Sequence, residues 1–265
     1  MASFEFDKFE RQVFLTTVLI ENLTDGEMGT GFIVFKPVDE TNKKFLLFSN
    51  KHVFWGKKDR NKKGIQKDVR LTFHKKDQNS KYVPGNIHQV TGKLNRDESK
   101  GYYDHPNSEV DVACANISQF GNEALALFIM GVGNDFFDFD TNDLHAGMSV
   151  CFVGYPSGFF DRKNWLPVLR SGTISSIPGI PFNGKPQILL DAQVFPGSSG
   201  SPVFASLNGK YKLLGLISGG VNKNVDFIEV ENTSEGEQKI KLPREWIGLG
   251  LLFTLETMKE VYDLA

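Results

Sequence analysis

Residues 187–204 run QILLDAQVFPGSSGSPVF. An apolar stretch, Ile188–Leu190, leads into the small-residue segment Pro196-Gly197-Ser198-Ser199-Gly200-Ser201-Pro202, and Val203-Phe204 resume the apolar pattern. Short apolar runs punctuated by Gly, Ser and Pro indicate β-strands joined by tight turns. A serine hydroxyl is a weak nucleophile that needs a neighbouring base and a scaffold that keeps it exposed. Small residues around Ser199 permit such a turn and leave backbone N–H groups free for a developing oxyanion. Alone, the segment is an ordinary Gly/Ser-rich turn; chemical meaning requires partners elsewhere in the chain.

The order of those partners is informative. The five histidines, His52, His74, His88, His105 and His145, all precede Ser199. A hydrolase with the order serine, acid, histidine is therefore excluded, whereas histidine, acid, serine remains open. His52 stands where the apolar run Phe45–Phe48 gives out and Val53-Phe54-Trp55 begins, at a strand end able to fix an imidazole beside a cleft. His74 and His88 lie among polar residues, His105 in a polar loop, and His145 in a turn beside Asp143 and Gly147. For the acid, Asp111 in Glu109-Val110-Asp111-Val112-Ala113 is flanked by apolar residues. A carboxylate there is costly to bury unless hydrogen-bonded, and a histidine to orient supplies the bond. Asp104, the competitor, has polar, loop-like surroundings.

Working outward, the first half carries β-patterned runs near Val13–Ile20, Gly31–Phe35, Phe45–Phe48, Val69–Phe73, His88–Gly92 and Val110–Ile117. The second half carries them near Ser149–Gly154, Val168–Ser175, Gln187–Gln193, Pro202–Phe204, Tyr211–Ser218 and Leu249–Phe253. Polar stretches at Asp39–Asn42, Asp77–Lys81 and Asn95–His105 read as loops, as do the basic Lys57–Lys67 and the charged Asn222–Arg244. Phe120–Gly131 reads as a connector or short helix. At the end, Thr254 is an N-cap candidate, with Leu255, Met258 and Tyr262 at helical spacing behind it. The expectation is an all-β chain of two six-stranded antiparallel β-barrels with a C-terminal helix. The division falls into residues 1–120, carrying His52 and Asp111, and 121–265, carrying Ser199.

Composition narrows the function classes. With 30 Lys+Arg against 32 Asp+Glu, the net charge of −2 gives no footing for nucleic acid or an anionic membrane. No apolar stretch is long enough to span a bilayer, and charged residues interrupt the N-terminal region where a signal sequence would need an apolar run. Cys114 and Cys151, both in strand-like runs, are expected as free thiols in a reducing compartment, with a single disulfide as the alternative. The expected location is cytoplasmic. No metal or cofactor motif is present: no CxxC pair, no HExxH, no phosphate-binding glycine loop.

Several blocks, in order, resemble the trypsin-like (chymotrypsin-fold) serine peptidases, particularly their HtrA-like and glutamyl-endopeptidase-like branches. They are Gly29-Thr30-Gly31-Phe32-Ile33-Val34, Ser49-Asn50-Lys51-His52-Val53, Val110-Asp111-Val112-Ala113, Val153-Gly154-Tyr155-Pro156-Ser157-Gly158, Gly172-Thr173-Ile174-Ser175-Ser176, Asp191–Pro202 and Leu214–Gly220. The resemblance implies a serine endopeptidase acting on a protein or peptide substrate, with Ser199 as nucleophile, His52 as general base and then acid, and Asp111 holding the imidazole. It implies an oxyanion hole from the N–H groups of Gly197 and Ser199. Gln193 would lie at the base of a neutral primary pocket, and Ser218, Gly219 and Gly220 would pair with the substrate backbone. Ser198 stands where trypsin zymogens carry an aspartate, so activity independent of an N-terminal ion pair is expected. Restraint would come from loops or a regulatory partner protein, as in a bacterial stress or antiviral system. The competing reading is a catalytically silent peptide-binding or scaffold protein on the same fold. Esterase activity on small substrates would accompany an active site of this kind.

Overall fold

The computed structural model describes residues 8–77, 81–118, 127, 129–224, 229–232, 238–241 and 244–265. Fifteen strands and three α-helices lie among them. A short helix, α1 (Phe9–Thr16), precedes β1 (Thr17–Asn22), β2 (Glu27–Pro37) and β3 (Lys43–Ser49). After β3 come α2 (Lys51–Trp55), β4 (Gln66–Lys76), β5 (Tyr82–Asn95), β6 (Tyr102–Asp104) and β7 (Ala113–Asn116). These strands form one antiparallel sheet in the order β5-β4-β1-β2-β3-β7-β6. The second half supplies β8 (Ser149–Gly154), β9 (Val168–Ile174), β10 (Gln187–Asp191), β11 (Pro202–Leu207), β12 (Lys210–Asn224) and β15 (Arg244–Thr254), which close into a six-stranded barrel. Helix α3 (Leu255–Leu264) ends the chain.

Four stretches depart from the sequence expectation. The strand expected at Val13–Ile20 begins only at Thr17, because residues 9–16 wind into α1. Helical spacing points Phe9 at the barrel, where its ring stacks on Tyr211 at 3.9 Å and meets Phe204 edge-on at 4.8 Å. The loop expected over Asn95–His105 contains β6, a seventh strand, anchored by the fully buried Tyr102. The charged stretch Asn222–Arg244 is not a plain loop: β12 reaches Asn224, and β13 (Glu229–Asn232) pairs antiparallel with β14 (Gln238–Lys241). Lys67, expected in a solvated loop, lies in β4, 7% exposed, with its ammonium 2.9 Å from both Asp25 and Asp59. The Phe120–Gly131 connector falls largely outside the described residues.

One core fills the first sheet (Ile20, Ile33, Leu47, Phe54, Trp55, Leu71) and a second fills the barrel (Phe152, Ile188, Leu190, Val203, Ile217, Leu252). A third spans the seam, joining Phe32, Phe48, Val112 and Cys114 of the first half to Val153, Phe204, Leu216 and Phe253 of the second. Met258 and Val261 of α3 close over it. Each fully buried side chain of this kind contributes about 1.5–3 kcal/mol of burial free energy. The seam is therefore a packed interior. Cys114 and Cys151 are not joined in a disulfide, and burial pushes the Cys114 thiol far up.

Candidate active site

Strands β3 and β7 are neighbours, with Ser49 opposite Ala113. That register brings the residue three beyond Ser49, on α2, to the same end of the sheet as the residue two before Ala113. Accordingly, His52 Nδ1 lies 2.6 Å from Asp111 Oδ2, and the His52 backbone N–H donates to Asp111 Oδ1 at 3.1 Å. Asp111 is 6% exposed. Burial alone would push its carboxyl up, but the hydrogen bonds and charge of His52 outweigh that effect and hold it below the usual carboxylate range.

Two residues without an assigned role in the sequence reading fix this pair. Asn50, fully buried, donates from Nδ2 to the Asp111 carbonyl at 2.7 Å. Lys51, 2% exposed, donates from Nζ to the carbonyls of His105 at 2.8 Å and Asn107 at 3.1 Å, tying down the chain that leads into Asp111. Burial pushes the Lys51 ammonium below its ordinary pKa.

The Ser199 turn sits between β10 and β11. Its N–H groups alternate in use: Ser198 N–H donates to Phe195 O at 3.0 Å, Gly200 N–H to Ile217 O at 2.9 Å, and Ser201 N–H to Ser198 O at 3.0 Å. Among the described residues, the N–H groups of Gly197 and Ser199 have no acceptor. Gly197 and Gly200 both adopt positive φ (86° and 84°), and a Cβ on Gly200 would collide with the Thr30 carbonyl, so the turn requires glycine there.

The first sheet reaches across the seam to hold this turn. The Thr30 N–H donates to Ser199 O at 3.0 Å, and Thr30 Oγ1 donates to Gly197 O at 2.9 Å while accepting from Tyr155 N–H at 3.0 Å. Ser49 Oγ donates to Thr30 O at 2.7 Å. A continuous hydrogen-bonded path thus runs from Ser49, at the end of β3 and three residues before His52, to the backbone of Ser199. The half-buried Ser199 hydroxyl donates to the Ser218 carbonyl at 3.4 Å; among the described residues it makes no hydrogen bond to His52. Hydroxyl–imidazole contacts in ligand-free sites are commonly loose.

Ser218 occupies a bulge in β12 where the register with β15 shifts, which turns its carbonyl toward the Ser199 hydroxyl; its own Oγ accepts from Gln187 Nε2 at 3.2 Å. Gly219 and Gly220 pair with Leu251 and Gly250 of β15. Pairing with β11 stops at Leu216, so beyond Ile217 that edge of β12 has no strand partner among the described residues. Gln193 lies exposed, whereas the adjacent Val194 is buried in the barrel against Gly250, where an added Cβ would come within 2.5 Å of Val194 Cγ2. Ser198 is buried, and among the described residues its hydroxyl has no hydrogen-bond partner. The N-terminal residues relevant to an activating ion pair lie outside the described residues. Among those described, no group of three His, Cys, Asp or Glu side chains is placed to hold a metal ion, and no helix is long and apolar enough to cross a membrane.

Human heparin binding protein superposes with a TM-score of 0.52 at 10% identity, covering 96% of this chain and 92% of that one. It shares the chymotrypsin-like fold. The crystal structure of Deg5 matches with a TM-score of 0.47 at 17% identity, covering 81% of this chain and 88% of that one. Among curated sequences, none is detectably similar. The family model for a trypsin-like peptidase domain matches residues 29–216, well over half of the 265. This chain belongs to the trypsin-like peptidase family.

Proposed function

We propose that the chain is a serine endopeptidase working through His52, Asp111 and Ser199. The observation that carries the reading is the 2.6 Å His52–Asp111 contact, linked by hydrogen bonds to a serine turn with two unoccupied N–H donors. The Asp111 carboxylate fixes His52 with its proton on Nδ1, leaving Nε2 as the base. Nε2 takes the Ser199 proton as Oγ attacks the scissile carbonyl carbon. The carbonyl oxygen becomes an oxyanion, which the Gly197 and Ser199 N–H groups receive. Collapse breaks the C–N bond, and the amine leaves with the proton from His52. Water then repeats the sequence on the acyl-enzyme ester, releasing the acid and restoring the serine. The free edge of β12 at Ser218–Gly220 adds the substrate's acyl side as an extra strand.

A protein or peptide is the substrate under this reading, and two cysteines not joined in a disulfide favour a reducing, cytoplasmic setting. A second reading, a silent peptide-binding protein, draws on the Ser199 hydroxyl bonding to Ser218 rather than His52. A fluorophosphonate probe separates the two. Covalent labelling at Ser199, abolished in His52→Ala and accompanied by peptide hydrolysis, is expected. A folded wild-type protein that neither labels nor hydrolyses peptides would leave the silent reading standing.

A further inference from the structure

Beside the Ser199 turn lies a cavity of about 360 Å³ lined by Pro156, Phe159, Val168, Arg170 and Phe195. Its walls are apolar apart from one charge. The Arg170 guanidinium lies 5.6 Å from the Phe152 ring centroid and 5.0 Å from that of Phe195, a geometry that fixes its orientation. Its Nη1 is buried with no hydrogen-bond partner, and no carboxylate pairs with it among the described residues. Burial pushes it below the ordinary arginine range. One guanidinium nitrogen is thus shut off from water without a hydrogen-bond acceptor, which is costly, and the two ring contacts do not supply one.

The cavity's position indicates what fills it. Phe195 is four residues before Ser199, and the Pro156–Gly158 turn abuts β2, where a Cβ on Gly158 would lie 3.1 Å from Met28 Sδ. Two residues further along β2, Thr30 N–H binds the Ser199 carbonyl, while Ile217 and Ser218 flank the turn from the other side. With the acyl side of a substrate on β12, the cavity faces the residues beyond the scissile bond. We infer that Arg170 and its ring-lined cavity form a leaving-side subsite that selects an aspartate or glutamate side chain. The inference rests on the endopeptidase reading. The carboxylate would accept from the guanidinium while Phe159, 76% exposed, covers the bond from water.

The test uses amidated fluorogenic peptides that differ only in Glu against Gln at the first, second or third residue after the cleaved bond. Wild type should prefer Glu at one of these positions by about tenfold in kcat/KM, the scale of one charge-assisted hydrogen bond. Arg170→Gln and Arg170→Met should each erase that preference. Hydrolysis of a small activated ester, which has no residues on the leaving side, should stay within roughly twofold of wild type. No Glu preference in wild type, or its survival in both variants, overturns the inference while leaving the endopeptidase reading intact. Parallel loss of ester hydrolysis would make Arg170 a support of the turn and also overturn it. A wild type that neither labels at Ser199 nor cleaves peptides removes the underlying reading, and this inference with it.

Discussion

Thr30 is the residue through which one half of the molecule holds the nucleophile turn of the other, and its hydroxyl is testable by a near-isosteric change. In Thr30→Val the side chain keeps its shape, but the Gly197 carbonyl loses its donor and the buried Tyr155 N–H its acceptor. Each orphaned buried group costs about 1–3 kcal/mol, so the expected destabilisation is about 2–6 kcal/mol. That is a large fraction of the ~5–15 kcal/mol that holds a typical domain together. The Gly197 carbonyl also sets the plane of the peptide bond between Gly197 and Ser198, so the flanking donor N–H groups should drift. A displacement on the order of 1 Å at a reacting centre can cost about 10²-fold in rate. Urea unfolding followed by tryptophan fluorescence gives the first quantity, and turnover of an activated ester gives the second. Thr30→Ser, which retains the hydroxyl, should restore most of both. If Thr30→Val matched wild type in unfolding midpoint and turnover alike, the hydroxyl bridge could not be what organises the turn.

Asp111→Asn should keep the fold but lose the carboxylate that selects the His52 tautomer, lowering kcat by about 10³–10⁴-fold; single-turnover acylation of a peptide substrate checks this. Gly154→Ala would drive a methyl into the buried hydroxyls of Ser201 and Thr30, and a thermal scan should show destabilisation of about 1–3 kcal/mol, partly relieved by Ser201→Ala. His74, 5% exposed, has its pKa lowered by burial from 6.5 to about 4, so the native state takes up this proton later than the unfolded chain. Its contribution is complete above 6.5 and lost as pH falls toward 4, roughly 2 kcal/mol by about pH 5. Denaturant titrations of His74→Phe across that window should show a shallower acid loss than wild type; an unchanged slope would assign the loss to other groups.

Much of the strand pattern is readable because it is local: period-two apolar runs and short glycine-rich turns lie within a few residues of each other. Residues 9–16 were misleading because Phe, Val and Leu serve a buried helix face as well as a strand, and only the packing of Phe9 on Tyr211 decides between them. Lys67 looked solvated because its partners Asp25 and Asp59 lie outside its own strand. Of the site, His52 and Asp111 stood out through their apolar flanks. Thr30 and Asn50 did not, since a buried threonine or asparagine carries no sign of the carbonyl it will meet. Thr30 and Gly197 are 167 residues apart, and Asn50 and Asp111 61. Arg170 was equally silent, because an arginine in a strand looks exposed until its neighbours are known.

The same long-range bonds bear on how such a site can be controlled. Separating the two halves would expose Phe32, Phe48, Val153, Phe204, Leu216 and Phe253 of the seam, at a cost on the order of 10 kcal/mol. That is comparable to the whole stability of a folded domain of this kind. A hinge that parts His52 from Ser199 is therefore not available without unfolding. The groups that can change state cheaply are those the seam does not hold: the Ser199 hydroxyl, the two N–H donors beside it, and the unpaired edge of β12. The apolar seam fixes the backbone of both halves and leaves the final hydroxyl contact soft. Under the peptidase reading, a substrate strand added at the β12 edge would displace nothing that the core depends on and would lie beside the bulge at Ser218, to which the hydroxyl is bonded.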